Sequence, residues 1–87
     1  MPYILPVDRV QYNDEIKSLV EKFLENDSNP GDINYVFSSI LKKLFLAHPG
    51  YSEANKLMGI LSCVSFEFYR MLAAPLENEK KDINGDI

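Results

Sequence analysis

Apolar positions along this 87-residue chain recur at steps of three and four, the spacing of helices, in three blocks separated by clusters of turn formers. In the first block Tyr12, Ile16, Leu19, Val20, Phe23 and Leu24 share one face, while Asp14, Glu15, Lys17, Glu21, Lys22 and Glu25 cover the other. This predicts an amphipathic helix buried along a single stripe. Asp8 stands where an N-cap is expected, Gln11 follows at capping-box spacing, and Val7 and Tyr12 occupy the positions of a hydrophobic staple. Asn26-Asp27-Ser28-Asn29-Pro30-Gly31 is dense in residues that favour turns and ends the helix.

A second helix is predicted from Asp32, its expected cap, with Ile33, Val36, Phe37, Ile40, Leu41, Leu44 and Ala47 on one face. Phe45 and Leu46 fall outside that stripe. Lys42 and Lys43 sit towards the C-terminus, where positive charge complements the helix dipole, and His48-Pro49-Gly50 stops the helix.

The third block, Ser52 to Ala74, carries apolar residues on two faces. Leu57, Ile60, Leu61, Val64, Phe68, Met71 and Leu72 form a wide face expected to pack against both preceding helices. On the other side Gly59, Ser62, Phe66, Tyr69 and Ala73 recur at alternating steps of three and four, a heptad-like seam. Small residues there admit a close backbone, and the two aromatic rings supply area to bury. The seam therefore predicts self-association. Pro75 is expected to end this helix, since it lacks an N–H and restricts Ala74.

Outside the helices, residues 1–7 carry two prolines and are read as an extended arm, and residues 76–87 as a polar, charge-mixed tail running back along the domain. Ile83-Asn84-Gly85-Asp86 contains the Asn-Gly pair of tight turns. The expected fold is all-α: one small three-helix domain, oligomeric.

Composition sharpens the oligomer expectation. A chain this short often needs a disulfide, a metal or a partner subunit to bury enough surface. Cys63 is the sole cysteine and His48 the sole histidine, so neither an internal disulfide nor a structural zinc site can be assembled within one chain. A partner subunit is the aid that remains. The net charge of −4 argues against nonspecific nucleic-acid binding. No run is read as long enough to span a membrane, and the N-terminus lacks the basic start and apolar length of a signal peptide, so the chain is expected to be cytosolic with Cys63 reduced. Asn26-Asp27-Ser28 is formally a glycosylation acceptor, without meaning in that compartment.

Gly59-Ile60-Leu61-Ser62-Cys63-Val64-Ser65-Phe66-Glu67-Phe68-Tyr69-Arg70, with Ala74-Pro75, Glu77, Lys80, Asn84-Gly85-Asp86-Ile87, Met1-Pro2-Tyr3-Ile4 and Ile33-Asn34-Tyr35, resembles a family of small uncharacterised proteins of phage and prokaryote genomes. The resemblance runs nearly end to end. This chain departs from it at Met71, where relatives often carry a second arginine, at Leu76, often tyrosine, and at Ser62 and Ser65, often charged. The resemblance implies a compact helical protein in a mobile-element setting and brings no activity with it.

Candidate chemistry is sparse. Glu67 and Arg70 are i,i+3 neighbours and form a surface pair on one reading. On the other, Arg70 holds a phosphate, Tyr69 stacks on a base and Lys56 adds charge, making the oligomer a sponge for a nucleotide signal. His48 reads as a helix-end residue, and Cys63 as a buried, inert thiol. Asp82, Asn84 and Asp86 alternate but lack the loop and terminal glutamate of a calcium site. Asn34 and Tyr35 fit an anion contact or plain capping equally. No catalytic residue, metal site or cofactor is identified. The leading expectation is a non-catalytic, self-associating helical protein that binds a host or phage protein.

Overall fold

A computed structural model describes residues 4–85, the side chains of Asp82 and Asn84 excepted, and the described residues are all-α. The chain divides into two units, Met1–Ala47 and His48–Ile87.

The first unit holds α1, Pro6–Glu25, and α2, Pro30–Ala47. α1 begins two residues before the expected cap. Leu5 is the N-cap and Pro6 the first helical residue, where its missing N–H costs nothing and its fixed φ favours the helix. Asp8 therefore lies inside the first turn, its N–H bonded to the Leu5 carbonyl at 2.9 Å, and Gln11 Nε2 donates to the Asp8 carbonyl instead of closing a capping box. Pro6 and Val7, read as part of an extended arm, therefore belong to α1, and Met1, Pro2 and Tyr3 lie outside the described residues.

Asp27 and Ser28 take positive φ, and the Ser28 N–H reaches the Phe23 carbonyl at 2.7 Å, tightening the end of α1. α2 is capped by Asn29, whose Oδ1 accepts the Gly31 N–H at 2.8 Å, and not by Asp32, which lies in the first turn. Leu19 and Phe23 of α1 and Ile33, Val36, Leu41 and Phe45 of α2 are half-buried, the last against expectation. The remaining stripe residues, including Ile16, Phe37 and Leu44, are exposed.

The second unit is one helical rod. α3 spans Tyr51–Phe68, a π-type turn follows at Tyr69–Ala73, and α4 runs Ala74–Asn84. Gly50, at φ 151°, caps its start. Pro75 does not end the helix. It stands in the first turn of α4, immediately after a turn in which the Ala74 N–H bonds to the Tyr69 carbonyl five residues back. A proline in a regular helix drives its ring against the carbonyl four residues earlier; a widened turn relieves that clash and lets the helix continue. Residues 76–84 are accordingly helix, ended at Gly85, whose φ of 84° suits glycine and whose N–H bonds to the Lys81 carbonyl at 2.7 Å.

Continuity through Pro75 also changes the reading of length. Within this rod the stretch Tyr51–Lys81 has 31 residues and a most apolar window of mean hydropathy 1.4, enough by length and composition to cross a membrane. It is scarcely covered: Leu57, 8% exposed, is the one buried residue among the described residues. Ile60, Leu61, Val64, Phe68, Met71 and Leu72, expected in a core, are exposed. A helix satisfies its own backbone but does not by itself bury the side chains along its faces.

Candidate functional site

Of the seam residues, Gly59, Ser62 and Phe66 lie on α3, and Tyr69 and Ala73 lie in the π-type turn that follows. A Cβ placed on Gly59 would meet nothing within 4 Å, Ser62 is exposed, Phe66 is 74% exposed and Ala73 is half-buried. Leu61, Ser62, Ser65, Phe66 and Tyr69 line a broad, open depression on this side of the rod. Its lining is apolar apart from two serine hydroxyls and the tyrosine.

Tyr69, 51% exposed, donates its hydroxyl to Glu77 Oε2 at 2.8 Å. Residues eight apart in a regular helix are turned by roughly 80° from one another. The π turn sets the helix back by about one residue, which makes the pair equivalent to neighbours seven apart and aligned. The hydrogen bond thus spans the π turn and braces it. Glu77 also raises the Tyr69 pKa above its ordinary value, first by accepting the phenolic hydrogen bond and then by its negative charge. Since the neutral phenol is favoured, the stability this contact adds is fully present below the unfolded pKa of about 10 and is lost as pH rises through the folded value. Glu77→Gln is expected to move the Tyr69 titration down towards its ordinary range, read by ultraviolet difference titration against Tyr69→Phe. An unmoved titration would show that the contact does not form in solution.

The three residues proposed to hold a nucleotide are not brought together as a cationic cradle. Arg70 engages Glu67 through two nitrogens, Nη2 at 2.9 Å and Nε at 3.3 Å, with its side chain 60% exposed. Lys56 pairs with Glu53 at 3.0 Å. Tyr69 turns its hydroxyl to a carboxylate, which repels phosphate. Each basic group faces an acid from its own helix turn, the arrangement of a solvated helix surface.

Other candidates resolve similarly. Ser38 Oγ donates to Asn34 Oδ1 at 3.2 Å, so Asn34 is occupied within its own helix, and Tyr35 is exposed. Cys63 is a free, exposed thiol and not a buried one. His48 lies in the connector after α2, exposed. Among the described residues no group of three or more His, Cys, Asp or Glu side chains is placed to hold a metal. Asp86 of the weak calcium pattern lies outside the described residues. Sequence reading missed Leu76 and Ile83, assigned to a tail; the signal that would have found them is their spacing of seven from each other and the spacing of eight between Phe68 and Leu76.

A family model described as a domain of unknown function (DUF6899) matches residues 1–87, and the chain belongs to that family. No curated protein and no solved structure matches the chain.

Proposed function

We propose that this DUF6899 member is a non-catalytic helical protein that self-associates through α3 and acts by binding another macromolecule. The observation that carries the reading is the seam of Gly59, Ser62, Phe66, Tyr69 and Ala73, an apolar strip with small residues, all exposed but the half-buried Ala73, on a rod whose opposite side is apolar as well. Exposed apolar surface of that extent marks an interaction site. The resemblance to phage and prokaryote proteins supports a mobile-element setting, with a host or phage protein as the bound partner and a cytoplasmic location.

Two other readings meet specific obstacles. A nucleotide sponge needs converging positive charge, and Arg70 and Lys56 are each engaged by a neighbouring carboxylate. A membrane span places Glu67 and Arg70 inside the apolar stretch, at a cost of about 2.5–3.5 kcal/mol for a central arginine, whereas an assembly in water leaves the pair solvated on its rim.

Calorimetry with a panel of cyclic and linear nucleotides separates assembly from capture. The expected result is no binding by the parent chain and no change with Arg70→Ala. Tight binding that disappears with Arg70→Ala would replace this proposal with the sponge.

A further inference from the structure

Pro75 removes a backbone donor from the rod at the very place where the regular ladder of bonds is already interrupted. The Ala74 N–H reaches back five residues to the Tyr69 carbonyl, and the next residue has no N–H to give. A π turn and a proline are each an established cause of helix bending, and here the two adjoin. A side-chain bond crosses this weak point. Tyr69, which opens the π turn, donates its hydroxyl to Glu77 Oε2 in the first turn of α4 at 2.8 Å, so the contact ties the two sides of Pro75 together. The two Arg70–Glu67 bonds lie wholly before Pro75 and do not cross it.

We propose that the Tyr69–Glu77 contact is a strap across a hinge at residues 69–75: closed, it makes α3 and α4 one rod, and open, it lets α4 swing about the turn. The chemistry of the contact suits a strap that opens and closes. A phenol on a carboxylate is a charge-assisted bond, stronger than a neutral pair, yet Tyr69 is 51% exposed and Glu77 is exposed, so water competes for both partners. The strap also decides how α4 is aimed. Phe68 and Leu76 are eight residues apart and come into line because the π turn takes up the extra residue. Opening the joint releases that alignment, and Leu76 and Ile83 then move independently of α3. This holds for the chain by itself and does not rest on self-association.

The test is a pair of spin labels on the full chain, one on the exposed native Cys63 and one on Lys80→Cys, with labelled chain diluted into excess unlabelled parent so that only distances within one chain are read. The two positions are 17 residues apart, about 25 Å along a straight helix. With the strap intact the distance distribution is expected to be single and narrow. Tyr69→Phe and Glu77→Ala should each broaden it and add shorter distances, since bending a straight rod brings its ends together. Hydrogen exchange at the Ala74 amide should rise roughly two- to tenfold in both, the factor set by one hydrogen bond of ordinary strength. Adding Pro75→Ala to either variant restores the missing N–H and is expected to narrow the distribution again without the strap. Circular dichroism checks that helix is retained, and if Tyr69→Phe loses it, Glu77→Ala alone decides. Equally narrow distributions with and without the strap residues would overturn the strap, and a distribution that stays broad after Pro75→Ala would overturn the hinge.

Discussion

Phe66→Asp is expected to lower the mass of the assembled particle, with the seam contact weakened at least about a hundredfold, equivalent to about 2.7 kcal/mol. The ring stands 74% exposed on one chain, between Ser62 and Tyr69, so the isolated helix loses almost nothing with the substitution. The cost arises only on association, when an aspartate without a partner would be carried out of water. Ser62 and Tyr69 offer it no cation, and Arg70, four residues on, is already held by Glu67 through two nitrogens. Helix content should be retained, which separates lost assembly from lost folding. Sedimentation of parent and variant over a range of concentrations checks this, and an unchanged mass would remove the seam from the interface.

Leu57→Ala is expected to cost on the order of 2–5 kcal/mol, since truncating a buried leucine forfeits its transfer energy and leaves a cavity. That is a large part of the total stability of a small domain. Leu61→Ala, by contrast, opens no cavity in a single chain, because Leu61 is already 45% exposed. It should fall within about 0.5 kcal/mol of the parent under conditions that keep the chain dissociated. Denaturant melts of both variants at low protein concentration distinguish the two sites. Equal losses would mean that Leu61 is covered within the chain.

Both predictions turn on a division visible residue by residue. Helix identity follows from local information: the three-four spacing of Ile16, Leu19 and Phe23, the turn formers between Asn26 and Gly31, and the His48-Pro49-Gly50 stop act within a few residues of the backbone they direct. Glu67 and Arg70, three apart on a helix, pair for the same local reason. All-α architecture, three helical rods and the ion pair were thus legible in the order of residues alone.

The route of the chain at Pro75 was not, because the rule that proline ends a helix holds only while the turn before it remains α. Tyr69–Ala73 adopts the wider turn, Tyr69 reaches Glu77 across it, and the segment read as a tail becomes α4 with Leu76 and Ile83 in line with α3. Burial likewise escaped the pattern. Periodicity states which residues share a face, not whether anything covers that face, so Leu57 and Leu61 look alike in sequence although only Leu57 is buried. The sequence by itself determined the helices and the composition of their faces, for these depend on neighbours along the chain. Only the tertiary structure decided the passage through Pro75 and which apolar residues stay exposed, since those depend on a turn's geometry and on packing across space.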